Sequence, residues 1–433
     1  MTGCCRGNPG GVGYNLPMSE QPCLIILASS HSYRQDAFQA AAEQLGIPVV
    51  QGLDVPPPLL PSGGANLAID YRDLPLSVER VLDFAADRPV GYVLGLDDSG
   101  ALLAARANEA LGIPHNSPEA TIAARDKWVM RQRFSRAGVP SPVVRKYLIT
   151  DDPEDIAADL EASGAFPVVI KPTTMSGSRG VMRADDPFEF VSRWERLRPM
   201  LEEARCDDVL VEGFIPGFEV ALEGLLDDGR LHVLALFDKP DPLDGPFFEE
   251  TIYTTPSRLP AETQQAIREA TQAAAASLGL QRGPIHAELR VNESGPVLLE
   301  VAARSIGGLC SQTLSFGPDI SLEALILRQA FGQDVSDTER QDGAEGVMMI
   351  PIPEPGILRT VTGVTEALAV PLIDKIEITA PLHYPVVPLP EGESYLGFIF
   401  ASGETPADVE TALRAAHAKL HFQIEPELHL TSR

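Results

Sequence analysis

The chain has 433 residues, of which 44% are hydrophobic and 22% charged, an ordinary composition for a soluble globular protein of roughly two to four domains. Lys and Arg number 34 against 61 Asp and Glu, giving a formal charge of −27 and a pI near 4.6. That balance excludes a general pull toward nucleic acid or an anionic membrane, so a bound polyanion such as ATP would need local basic groups or metal ions.

Residues 1–20 are Gly-rich and lack the apolar centre of a signal peptide, so they read as a disordered extension with Met18 as an alternative start. Residues 21–117 read as an α/β domain. The strand "CLIILASS" is followed by the helix "RQDAFQAAAEQLGIP", then the strand "VGYVLGLDD" and the helix "GALLAARANEALGIP". This alternation predicts a doubly wound parallel sheet, with ligands beyond the carboxyl ends of its strands. His31, just after the first strand, is read as a cap for the next helix. The loop "DVPPPLLPSGG" separates the two units.

Ser117-Pro118-Glu119 opens a helix read as continuous to about Ala137, which places Lys127 in its middle. "SPVVRKYLI", "FPVVIKP" and "DVLVEGFI" read as strands, with the helix "PEDIAADLEASG" between the first two. A hairpin turns at Asp228-Gly229, an Ala-rich helix follows, and a second hairpin turns at Asn292 to Gly295. From about 345 the pattern shifts to short strands and one capped helix, "TPADVETALRAAHAKL", a small α+β domain over 345–433. The span between, 118–335, is read as one two-lobed domain. No internal repeat and no run of about 18 apolar residues occurs. The five cysteines are odd in number and contain no CxxC, which fits a reducing cytoplasm.

Glu288 and Glu300 lie on the two arms of the second hairpin, where cross-strand neighbours come within about 5 Å. Facing carboxylates repel unless a proton or cation sits between them, and hard oxygens of this kind suit Mg²⁺. The open alternative is that the two glutamates occupy opposite faces or simply sit in solvent. Arg304 and Gly307-Gly308 follow, and a guanidinium with glycine amides can grip anionic oxygens. Lys171 ends an apolar strand, where it either snorkels to solvent or meets a phosphate. The turn "MSGSRG" brings Ser176, Ser178 and Gly180 near such an anion, although it is neither a GxxxxGK[ST] loop nor a GxGxxG fingerprint. "VEGFIPG" supplies Glu212 and backbone groups, read as a strand edge able to hydrogen-bond a purine. His286 shares a face with Glu288, two residues on, as a substrate or phosphate contact or a packed, hydrogen-bonded histidine.

The order of these elements resembles the ATP-grasp superfamily over roughly Pro22 to Gly332. "RDKWVMRQRFSRAGVPSP" looks like the entry into its ATP-binding lobe, and "FPVVIKP" with "GSRGV" like its second lysine and phosphate flap. "LVEGFIPGFEVALEG" is similar to its adenine strand and "HAELRVNESGPVLLEVAARSIGG" to its magnesium hairpin. The resemblance implies ATP contacts at Lys127, Lys171, Ser176, Ser178 and Gly180. It implies adenine contacts at Glu212, Phe214 and Ile215, the last two through the backbone, and a ribose contact at Glu219. Glu288 and Glu300 would hold Mg²⁺ (or Mn²⁺), and Arg304 would steady an acyl-phosphate or a substrate carboxylate. Many family members carry Asn two residues after the second glutamate; here that residue is Ala302.

The segment "FDKPDPLDGPFFEETIYTTPSRLP", 237–260, reads as one long acidic and aromatic loop. Together with the C-terminal strands it resembles the L-amino acid ligase branch, which includes carnosine-synthase-like enzymes. The implied activity is ATP-dependent joining of an amino acid carboxylate to an amine, releasing ADP and phosphate, with Glu250 at the amine. The alternatives are a regulatory or degenerate ATP-binding grasp protein and a purine-pathway or carboxylase-type ligase. The expected partners are small-molecule amino acids, with no nucleic acid and no membrane, and a homodimer is the default assembly.

Overall fold

The computed structural model describes residues 21–28, 34–61, 65–318, 320–335 and 338–427. The expected extension 1–20 and His31 lie outside them. The first domain holds four parallel strands in the order Asn66–Ile69, Val49–Asp54, Cys23–Leu27, Val90–Gly95. Cys23–Leu27 is wholly buried, which explains its unbroken apolar run. Two of the strands and the helix Leu74–Asp87 escape the sequence reading, because they fall in short half-buried stretches around the proline loop. The order reverses around the first strand, and the loop after Val90–Gly95 and the start of the helix that follows carry Leu96, Asp97 and Asp98 into the main cavity.

The helix expected from Ser117 to Ala137 is two helices, Pro118–Arg125 and Lys127–Ala137. Asp126 separates them: its backbone is extended, and its carboxylate accepts the N–H groups of Trp128 and Val129. An aspartate in that conformation is an N-cap, so it starts a second helix rather than continuing the first.

A four-stranded antiparallel sheet follows in the order Val144–Leu148, Asp208–Gly213, Val168–Pro172, Met182–Ala184. The helices Pro153–Ala162 and Pro187–Ala204 supply the apolar side chains that join this sheet in one core, including Leu160, Phe190 and Trp194. Asp208–Gly213 is paired on both sides, so it is not the edge strand expected from "VEGFIPG". Pairing ends at Gly213, and the irregular stretch beyond it is what remains open.

The largest sheet has eight antiparallel strands, beginning with Gly295–Ala302, Gly283–Asn292, Phe218–Asp227, Arg230–Lys239 and Ile252–Thr255. It runs on without a break through Ala344–Ile350, Gly397–Gly403 and Ile373–Ile378. The expected long loop 237–260 is therefore interrupted twice. Asp238 and Lys239 belong to one strand and 252–255 form another, which leaves 240–251 irregular. No helix among the described residues is long and apolar enough to cross a membrane.

Candidate active site

A cavity of about 780 Å³ opens between the first domain, the small sheet, the large sheet and the loop carrying Glu393 and Tyr395. That is the size of a pocket for a small organic ligand. Its chemistry is set by charged groups that the strand ends and the hairpin push inward.

Lys127 is the first residue of its helix. Its N–H donates to Thr173 O at 2.9 Å, and its Nζ reaches Met175 O at 2.9 Å and Glu300 at 3.2 Å. It thus ties the strand end and the flap to the hairpin. Lys171 is buried, with Nζ 2.5 Å from Glu212. Arg131 Nε lies 2.8 Å from the same carboxylate. Burial disfavours the charged lysine and, with Arg131 and Lys127 nearby, holds its pKa below the usual value despite Glu212. Burial also works against a charged Glu212, but Arg131 and Lys171 outweigh it and bring that pKa down. One carboxylate thus serves two buried cations, and the surplus positive charge faces the cavity. An anion at that point would complete the set.

Ser176, Gly177, Ser178 and Val181 of the flap line the cavity. Gly177, Ser178 and Gly180 all have positive φ, which a glycine adopts freely. Gly180 is turned elsewhere: its N–H donates to Pro390 O at 2.9 Å, and a Cβ would come within 2.8 Å of Leu197.

Glu212, expected at adenine, lines the cavity and is paired with Lys171 and Arg131. The Phe214 N–H is taken by Pro167 O at 3.1 Å, and the Ile215 carbonyl accepts Arg290 Nη1 at 2.9 Å. The Phe214 ring stacks on Phe248 with centroids 6.5 Å apart. Glu219 is buried and held by Lys239 and Arg290, each at 2.9 Å.

Glu288 and Glu300 are direct register partners, and both line the cavity. Adjacent hard oxygens, each partly open to the cavity, fit Mg²⁺ or Mn²⁺. In this structure each is held by an ammonium, Glu300 by Lys127 and Glu288 by Lys239 at 3.3 Å. Among the described residues, the three carboxylates that converge within 4.8 Å are instead Glu219, Glu250 and Glu288, gathered around Lys239. Burial opposes that ammonium, but the three glutamates outweigh it and raise its pKa well above normal. Burial, with Glu288 and Glu219 close by, pushes Glu250 up to about 7 although Lys239 pulls it down. Glu250 is thus not part of a solvated acidic loop.

His286 lies between Glu223 and Glu288, 3.4 Å from each. Burial favours the neutral ring, yet the two carboxylates lift its pKa to about 9, so the imidazolium is the resting form. Its register partner is Ala302, which leaves this part of the cavity without an amide side chain. Arg304 reaches Asp98 at 3.2 Å and Ser305 O at 3.1 Å, with Gly307 and Gly308 beside it in the cavity wall.

Residues 164–313 match the ATP-grasp domain, and residues 348–425 match the L-amino acid ligase C-terminal domain 2. The chain thus carries an ATP-grasp domain. An L-amino acid ligase from Bacillus licheniformis superposes with a TM-score of 0.77 at 26% identity, over 94% of this chain and 99% of that one. The alanine–anticapsin ligase of Bacillus subtilis (strain 168) is 31% identical over 252 residues, 53% of this chain and 52% of that protein. An uncharacterized protein of Sinorhizobium fredii is 26% identical over 320 residues, 73% of this chain and 65% of that protein. The chain spans between about half and two thirds of the length of these two curated relatives.

Charged residues of this site to which the sequence reading gave no role include Arg131, Lys239, Arg290 and Asp98. Arg131 is four residues after Lys127 and so on the same helix face. Arg290 continues the alternation from His286 and Glu288. Both could have been found from spacing. Lys239 is hidden because a strand was read as a loop, and Asp98 because its partner Arg304 lies 206 positions away.

Proposed function

We propose that this ATP-grasp chain is an ATP-dependent carboxylate–amine ligase that joins two amino acids. The observation that carries the reading is the surplus positive charge of Lys171 and Arg131 around Glu212, in one cavity with the Glu288/Glu300 pair. The L-amino acid ligase C-terminal domain supports amino acids as the substrates. A carboxylate oxygen of the first amino acid attacks the γ-phosphorus of ATP, and ADP leaves. The amine nitrogen of the second attacks the acyl carbon, phosphate leaves and the nitrogen gives up a proton.

In this reading Lys127 and Lys171 bind phosphate oxygens, and the flap residues Ser176 and Ser178 exclude water from them. Adenine lies against the backbone of 213–215 beside the Phe214 and Phe248 rings, and the ribose meets Glu219. Glu288 and Glu300 would hold Mg²⁺ or Mn²⁺, which when bound neutralises charge on the phosphates. Arg304, oriented by Asp98, steadies the acyl-phosphate or a substrate carboxylate. The His286 imidazolium holds Glu288 in place, and Glu250 faces the incoming amine. Free amino acids and the free thiols of Cys23, Cys206 and Cys310 fit the cytoplasm.

A second reading, an ATP-binding protein without ligation, is favoured only by Ala302 at a position where family members often carry a metal-ligating Asn. ADP formation that depends on added amino acids in the wild-type chain separates the two, and Glu300→Ala then tests the metal assignment. In a ligase it reduces amino-acid-dependent ADP formation by at least about 100-fold while leaving the protein folded. Turnover that persists at saturating Mg²⁺ would show that Glu300 is not a metal ligand.

A further inference from the structure

The flap is not free at its tip. The Gly180 N–H donates to Pro390 O at 2.9 Å. Gly177 backs onto Glu393, where an added Cβ would meet the Glu393 Cβ at 3.3 Å. Arg196 lies on Pro187–Ala204, the helix that follows the flap. It forms a two-pronged pair with Glu391, Nε to Oε1 at 2.6 Å and Nη2 to Oε2 at 2.9 Å, across 195 positions of chain. The same guanidinium lies 4.8 Å from the centre of the Phe247 ring. Phe247 belongs to the irregular segment 240–251, which also touches the far arm of the flap hairpin through Arg183 N–H to Pro246 O at 2.9 Å.

Pro390, Glu391 and Glu393 sit on one loop of the C-terminal domain, just before Ser394 and Tyr395, which line the cavity together with Glu393. Both members of the Arg196–Glu391 pair are 39% exposed. An ion pair that open adds little to folding. Its two parallel hydrogen bonds fix direction, and that is what a hinged loop requires.

We propose that Glu391 and Arg196 are positioning residues for the flap: the 388–395 loop of the C-terminal domain latches the flap over the nucleotide. The latch rests on the reading of the flap as the lid over ATP. Through it the domain that lines the cavity with Glu393, Ser394 and Tyr395 also sets how firmly the nucleotide is enclosed.

The test is amide hydrogen exchange on the nucleotide-free full chain, comparing wild type with Glu391→Gln, Arg196→Gln, the double variant and the charge swap Arg196→Glu/Glu391→Arg. Exchange at residues 174–181 should quicken about three- to fivefold in each single variant, no further in the double, and return toward wild type in the swap. The KM for ATP should rise by a similar factor, with kcat changed less. Unchanged flap exchange in both single variants overturns the latch. So does faster exchange spread evenly over the C-terminal domain, which would mark the pair as merely structural. A wild-type protein that binds no ATP would refute the lid reading instead, while the nucleotide-free exchange data would still judge the latch.

Discussion

At the scale of single residues, the Glu212 carboxylate and its two cations give a sharp test, because the three side chains are not equivalent. Removing Glu212 leaves Lys171 and Arg131 buried without a counter-charge. Removing Lys171 leaves a balanced Arg131–Glu212 pair. Breaking a buried pair by deleting one partner costs about 3–5 kcal/mol. Glu212→Gln should therefore lose stability in that range by denaturant titration. Lys171→Met should stay close to wild type in stability and lose at least about tenfold in ATP affinity, measured by calorimetry. Equal destabilisation by both substitutions would contradict the surplus-charge account. Lys171 was legible in the sequence because it ends an apolar strand, and the Glu288/Glu300 pairing because a short hairpin imposes register. The partner of Lys171 was not, since Glu212 comes from the neighbouring strand and nothing local announces which strands pair.

At the scale of elements, period-2 strands and turn residues gave the two hairpins of the large sheet, and an Asx-type cap hid the break at Asp126. A residue that ends one helix and caps the next leaves no gap in the helical pattern. The strand Ala344–Ile350, which carries the large sheet into the C-terminal domain, has its own titratable test at Glu345. Burial, with Asp374 close by, pushes that carboxyl up to about 7 against a downward pull from Arg340. An unfolded Glu titrates near pH 4.3. The folded state holds the proton more tightly, so the stability due to the neutral carboxyl is complete below about pH 4 and lost as pH rises through about 7. Glu345→Gln stays neutral throughout. Its melting temperature should match wild type near pH 4 and exceed it by a growing margin up to pH 8. A margin that does not change with pH would place the Glu345 carboxyl back in the ordinary range.

At the scale of the whole molecule, an acidic chain has gathered its buried bases around one cavity. Among the described residues the buried Lys and Arg side chains are Arg34, Lys127, Arg131, Lys171, Lys239 and Arg290. Each lines the cavity or pairs with a carboxylate that does. The formal charge of −27 set the expectation that any polyanion would need local positive charge, and the structure supplies it at one place. The α/β class and the order of motifs were legible because each motif is a local pattern. The continuity of the eight-stranded sheet into the C-terminal domain was not, because Ile252–Thr255 meets Ala344–Ile350 across nearly a hundred residues that carry no shared pattern. The central claim is that this cavity joins amino acids at the expense of ATP. It is tested most directly by incubating the full chain with ATP, Mg²⁺ and a panel of amino acid pairs, reading ADP release and the mass of any condensed product together. The account predicts that at least one pair releases ADP and yields a product one water lighter than the two amino acids combined, with neither outcome in Glu300→Ala. ADP release that no pair stimulates, or stimulation without a condensed product, would contradict it.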